Sequence, residues 1–117
     1  MAEKTYTVAV LTQGCKVNQY ESEAIAEAFE RVGFRVLSGD EVCDAYVINT
    51  CTVTGESDRK AGQLIRRVHH LAPRAKILVT GCFSQARPEA AASIPGVDFV
   101  CGNRDKLSVV SAAVRLL

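Results

Sequence analysis

Cys15, Cys51 and Cys82 are the residues of this 117-residue chain whose type and placement could do chemistry. Each stands one to three residues beyond an apolar, β-rich run, in LTQGC, INTC and LVTGC. Three converging thiolates could hold three irons of a [4Fe–4S] cluster and leave the fourth iron open to an external ligand. They could equally hold zinc with water in the fourth position, or two of them could form a redox pair. The separations of 36 and 31 residues match no compact C-x-x-C knuckle or redox motif. An iron–sulfur centre is the favoured reading, although thiolate softness suits zinc as well. Gly14 and Gly81 directly precede two of the cysteines. A glycine there lets backbone approach a bulky ligand, and equally serves a tight strand-to-helix turn. Asn18, Asn49 and Thr52 are candidate donors around such a centre; a helix cap, a strand-end turn and a solvated hydroxyl are their plainer roles.

The five cysteines are odd in number, and Met1 to Tyr6 has no apolar run of a signal peptide. The expected location is the cytoplasm, where thiols stay reduced, so metal or redox chemistry is favoured over a disulfide framework. Cys43 falls before a strand, on the rim opposite the other three, and reads as a packed thiol. Cys101 ends a strand; packing is again the plainer reading, with a fourth-ligand role as the alternative.

These cysteines need a scaffold, and the apolar pattern supplies one. Residues 5–12, 34–37, 45–50, 76–80 and 97–101 read as strands. Helices are expected over 18–32 and 55–71, in a short piece from Pro88, and around Leu107, Val110, Val114 and Leu117. In the first helix Ile25, Ala28, Phe29 and Val32 share a face, Asn18 is the expected cap, and Gly33 sits past the end. In the second, Thr54 is the expected cap and Ala61, Leu64, Ile65 and Val68 face inward. Runs such as AYVINT and KILVT are apolar throughout, as in strands covered on both faces. The alternation implies an α/β fold: an open, parallel, five-stranded sheet with helices on both faces, for which the flavodoxin-like order 2-1-3-4-5 is assumed as a common arrangement. Strands one, three and four are then neighbours, and their carboxyl ends, where open α/β sheets bind ligands, would carry Cys15, Cys51 and Cys82 together.

Composition is that of one ordinary globular domain, 48% hydrophobic and 23% charged, and residues 1–117 are expected to form a single unit. No stretch is long and apolar enough to span a membrane. The net charge of +1 argues neither for nor against a nucleic-acid partner. Arg59, Lys60, Arg66, Arg67, His69, His70 and Arg74 do gather on or just after the second helix, as a solvated face or an RNA contact. His69 and His70 have no partner at metal spacing and read as exposed. The chain stops at an amphipathic helix with no tail, as a trimmed piece of a larger protein would.

Five segments resemble, in order, the N-terminal domain of the methylthiotransferases: GCKVNQYESE, VINTCTVT, KAGQLIRR, VTGCFSQ and PGVDFVCGNRDK. The resemblance runs over roughly residues 5 to 107. It implies an enzyme that attaches a methylthio group to a tRNA base or a ribosomal-protein residue, using S-adenosylmethionine and two [4Fe–4S] clusters. It further implies that Cys15, Cys51 and Cys82 hold the auxiliary cluster, which presents or supplies the sulfur. The second cluster and S-adenosylmethionine would belong to a radical domain with a C-x3-C-x2-C motif, which this chain lacks. An RNA-binding C-terminal domain would also lie elsewhere. KVNQYES and NTCTVT look most like the branch acting on threonylcarbamoyladenosine beside the tRNA anticodon. The isopentenyladenosine and ribosomal-protein branches are the alternatives. Cys43 and Cys101 stand where the family pattern usually has Ala and Val, which suits packed thiols. From other classes, a flavodoxin-like ligand-binding module would need a phosphate-cradling loop, and neither G-x-G-x-x-G nor a P-loop is present. A thiol redox protein would need a low-pKa cysteine beside a resolving one.

Overall fold

The computed structural model describes residues 6–12, 16–37, 41–50, 55–81, 88–101 and 108–117, with backbone only for 16–18, 55–58, 88, 90 and 91. Five strands, β1 (Thr7–Thr12), β2 (Arg35–Val36), β3 (Ala45–Thr50), β4 (Lys76–Gly81) and β5 (Val97–Val100), form one sheet in the order β2-β1-β3-β4-β5. All four pairings are parallel. Helices α1 (Lys16–Arg31), α2 (Gly55–Leu71), α3 (Pro88–Ser93) and α4 (Ser108–Leu116) follow β1, β3, β4 and β5, and β2 leads to β3 with no helix between them among the described residues. The expected fold class and strand order are therefore those of the molecule.

Side chains of a strand point alternately to opposite faces, and the core divides accordingly. Val8, Ala45, Val47 and Leu78 turn to the face where Ile25 and Phe29 of α1 and Val109, Ala112 and Ala113 of α4 pack. Ala9, Tyr46, Ile48, Ile77 and Val79 turn to the other, against Ile65 and Val68 of α2. Every residue of β3 is buried, which explains why AYVINT shows no alternation of apolar and polar residues.

The end of α1 shows how local chemistry sets the frame. Gly33 has φ +97°, and its N–H donates to the Glu30 carbonyl at 3.1 Å. The Phe34 N–H donates to the Phe29 carbonyl at 3.0 Å. This is a Schellman stop, in which a left-handed glycine satisfies carbonyls that the helix leaves unpaired. Its usual hydrophobic contact is present: Phe34 meets Phe29 edge-on, ring centroids 4.9 Å apart. Val32 is consequently not on the inward face assigned to it. It lies beyond the helix and is 53% exposed, because the turn brings Phe34 into the core in its place.

Three other expectations are corrected. α1 begins at Lys16, so Asn18 lies in its first turn and does not cap it; Lys16 and Val17 carry no turn signal and continue the helix back toward Cys15. In α4 the buried residues are Val109, Val110, Ala112 and Ala113, and Val114 is exposed. Two alanines define that stripe, and alanine weighs little in a pattern sought among large apolar residues. β2 is only two residues long, a short edge strand of the kind that avoids unwanted pairing. Thr54 and Leu107 lie outside the described residues.

Candidate metal centre

The three strands expected to carry the cysteines lie side by side and end level with one another. Thr12, the last residue of β1, is paired with Asn49 of β3, and Thr50, the last of β3, with Gly81, the last of β4. Cys51 and Cys82 are the next residues in the chain after Thr50 and Gly81, and Cys15 directly precedes Lys16, the first residue of α1. Cys15, Cys51 and Cys82 themselves, with Gly14 and Thr52, lie outside the described residues. Among the described residues no three His, Cys, Asp or Glu side chains gather as a metal site. What the structure supplies is the frame: neighbouring parallel strands about 4.8 Å apart, each one peptide step or a short loop from a thiol.

Two packing devices hold that frame. The first is a polar knot. The Thr12 hydroxyl donates to Ser22 Oγ at 2.6 Å, and the Asn49 amide nitrogen donates to the same oxygen at 3.0 Å. Asn49 is fully buried and Ser22 nearly so. A buried polar group is costly unless bonded, so this knot ties the ends of β1 and β3 to one turn of α1. Asn49, a candidate donor toward a ligand, thus makes its described contact with Ser22. Ser22 was overlooked in the sequence, yet it had a signal: it precedes Ile25 by three residues and Phe29 by seven, on the same inward stripe.

The second device is Gly81. Its φ is +106°, and a Cβ there would lie 2.2 Å from the Thr50 carbonyl oxygen and 2.7 Å from Thr50 Oγ1. Thr50 Oγ1 in turn donates to the Thr80 carbonyl at 3.0 Å. The residue before Cys82 therefore lies against the backbone before Cys51 as only glycine allows. A hollow of about 250 Å³ opens beside the same rim, lined by Thr12, Gln19, Ser22, Glu23, Val36 and Leu37.

Cys43 is at the other end of the molecule, before β3, and only 4% exposed. Its Sγ–H donates to the Glu41 carbonyl at 3.4 Å, and the Tyr46 hydroxyl donates to that same carbonyl. The Cys43 N–H donates to the Tyr46 hydroxyl at 3.0 Å. Burial pushes both the Cys43 thiol and the Tyr46 phenol upward in pKa. A raised pKa in the folded chain means the protonated forms favour folding. Stability is therefore expected to be complete below about pH 9, near the ordinary thiol value, and to fall as pH rises above it. Urea titrations at pH 8 and pH 10 check this: the decline should shrink in Cys43→Ala, and an equal decline in both chains would refute the assignment. Cys101 is half-buried against the apolar cluster beneath α1 and α4, and its N–H donates to the Val79 carbonyl at 3.0 Å.

On α2 the basic residues Arg59, Lys60, Arg66, Arg67 and His70 are exposed, as is Arg74 just beyond it. His69 departs from expectation. It is half-buried, and its Nδ1 is buried with no hydrogen-bond partner among the described residues. Its ring packs so close to Gly96 that a Cβ there would lie 2.6 Å away, a proximity that helical spacing could not reveal.

The donor set fits a thiophilic metal group. Three cysteines follow adjacent strand ends on one rim, and α2 starts four residues after Cys51. The partial positive charge of a helix N-terminus favours thiolate over thiol nearby.

A family model described as "Uncharacterized protein family UPF0004" matches residues 7–102. The chain is 48% identical over 100 residues to the threonylcarbamoyladenosine tRNA methylthiotransferase MtaB of Bacillus subtilis (strain 168), covering 86% of this chain and 22% of that protein. It is 44% identical over 104 residues to the Thermotoga maritima protein of the same name, covering 89% and 24%. A tRNA-2-methylthio-N(6)-dimethylallyladenosine synthase of Mycolicibacterium paratuberculosis is 38% identical over 107 residues, covering 85% and 20%. The chain thus spans less than a quarter of the length of each of these relatives. Among solved structures, a Thermotoga maritima response regulator superposes with a TM-score of 0.62 at 20% identity, covering 96% of this chain and 99% of that one. A Burkholderia pseudomallei response regulator gives 0.63 at 19%, covering 94% and 66%. At such identity these two show the fold alone.

Proposed function

This chain belongs to the UPF0004 family, the N-terminal domain of the methylthiotransferases, and we propose that it binds an auxiliary [4Fe–4S] cluster through Cys15, Cys51 and Cys82. The full protein would add a methylthio group to threonylcarbamoyladenosine beside the tRNA anticodon. Its S-adenosylmethionine, second [4Fe–4S] cluster and radical domain would lie outside these 117 residues, as would a C-terminal RNA-binding domain. Relatives named for threonylcarbamoyladenosine reach 48% identity, against 38% for the dimethylallyladenosine synthase, which supports that substrate over its alternative. No helix among the described residues is long and apolar enough to cross a membrane, in keeping with a cytoplasmic enzyme acting on tRNA.

The observation that carries the reading is the level ending of β1, β3 and β4, with a cysteine following each strand within three residues. Residues so placed come from sequence-distant turns and would be brought together by the neighbouring strands. When bound, a cluster held by three thiolates supplies one iron free to carry sulfur. The chain's own part is to bind and orient. Cys15, Cys51 and Cys82 serve as anionic ligands; Ser22, Thr12 and Asn49 fix the strand ends behind them; Gly81 keeps two of those ends in contact.

Anaerobic reconstitution of the purified chain with iron and sulfide tests this directly. About four irons and four sulfides per chain are expected, with broad visible absorption of thiolate–iron character. A chain that takes up no iron, or that binds a single zinc in preference, would overturn the proposal.

A further inference from the structure

The net charge of +1 conceals a polarised molecule. On one side of the sheet α1 exposes Glu23, Glu27 and Glu30, and its Arg31 is paired with Glu27 at 2.8 Å. On the other side α2 exposes Arg59, Lys60, Arg66, Arg67 and His70, with Arg74 just past its end. At 100° per residue Arg59, Gln63, Arg66, Arg67 and His70 fall on one solvent stripe, opposite the buried Ala61, Ile65 and Val68. From Arg59 to His70 that stripe is about 16 Å long. Among the described residues Arg59, Arg66, Arg67 and Arg74 make no ion pair.

Cations in the last turn of a helix complement its dipole, which would suffice for His69 and His70. It does not account for Arg59, which lies toward the N-terminal end, where the dipole gives cations no support; Lys60, four residues after Glu56, makes an interaction of its own. Arg59, Arg66 and Arg67, exposed on one stripe and without an ion pair among the described residues, are complementary to a polyanion.

We propose that the solvent face of α2 is a phosphate-contacting surface that holds RNA, running from near the thiol-bearing rim down one side of the sheet. This rests on the reading that the full protein acts on tRNA, and adds which surface of this domain meets it. Among the described residues no aromatic platform accompanies the stripe, so the contact proposed is through the backbone phosphates and carries little sequence preference.

Fluorescence anisotropy with labelled, unfractionated tRNA tests the surface on this chain. With about four phosphates neutralised, affinity should fall roughly 100-fold between 50 and 200 mM salt. Arg66→Glu with Arg67→Glu should weaken binding at least ten-fold at about 100 mM salt and flatten the salt dependence. Adding Glu27→Lys and Glu30→Lys restores the parental net charge from the opposite side of the sheet. The four-fold variant should still bind weakly. If it binds as the parent does, net charge rather than the α2 face governs, and the proposal fails. It fails also if polyglutamate binds the parent as tightly as tRNA does, since the face would then suit an acidic protein segment. Circular dichroism confirms that the variants fold. Iron uptake by the Arg66→Glu, Arg67→Glu chain separates the two ideas: normal iron with unchanged RNA affinity sinks the surface alone, whereas a parent without iron sinks the cluster reading and leaves the RNA result standing.

Discussion

Alanine at Cys15, Cys51 or Cys82 is expected to reduce reconstituted iron from about four per chain to near zero, whereas alanine at Cys43 or Cys101 leaves it unchanged. Loss of groups that merely support metal ligands already costs about 10- to 100-fold in affinity; loss of one of three direct ligands should cost more. The two control cysteines differ for physical reasons visible in the fold. Cys43 is buried before β3, at the far end of the strand from Cys51, and its environment favours the neutral thiol, the form that does not ligate. Cys101 follows β5, next to β4, and lies half-buried against the apolar cluster. Iron analysis and absorption spectra of the five variants decide the matter. A loss at Cys101 equal to that at Cys82 would mean a fourth thiolate ligand, and the open iron on which the proposed chemistry depends would no longer exist.

The largest effect on stability is expected at Gly81. Alanine there must hold φ near +106° and place its Cβ 2.2 Å from the Thr50 carbonyl oxygen. The left-handed conformation costs about 1–2 kcal/mol, and forcing the two backbones apart adds about 1–3 kcal/mol. The neighbour cannot yield cheaply, because Thr50 ends a fully buried strand paired on both sides. Against a total stability of about 5–15 kcal/mol, Gly81→Ala removes a large fraction. Gly33→Ala provides the comparison: its φ is +97°, but nothing lies within 4 Å of the added carbon. It should cost only the conformational term, about 1–2 kcal/mol. Urea denaturation of both variants measures the difference, and equal losses would show that the contact with Thr50 relaxes freely.

Much of this architecture was legible because its elements announce themselves locally. The second helix was read over 55–71 and is Gly55–Leu71; AYVINT was read as a strand and is β3. The parallel sheet followed from the alternation of strands and helices, whereas the strand order was assumed from the common flavodoxin-like arrangement and is the one found. The misreadings came where a tertiary contact replaced a local rule. Val32 kept the helical period, but the glycine stop gave its core position to Phe34. His69 read as exposed because the close passage of Gly96 is set by the chain after α3, far along the sequence. Ser22 was passed over because a polar residue on an inward stripe looks like an interruption until its partners Thr12 and Asn49 are seen. The cysteines were legible as a set through their common position after strands. The frame beneath them is described, and their own placement lies outside the described residues.

The parallel connectivity also dictates an order of events in the life of the chain. The ends of β1, β3 and β4 adjoin only after two crossovers have closed, so no local hairpin or short peptide contains the proposed ligand set. Non-local contacts of this kind form late and slowly relative to helices. The sheet nevertheless has apolar cores on both faces made wholly of protein. A cluster held at the proposed site would therefore load onto an already folded domain, and a chelator is expected to leave a folded apo chain, as circular dichroism of the stripped chain would check. This is the reverse of a zinc finger, where the metal itself is the core and its removal unfolds the chain.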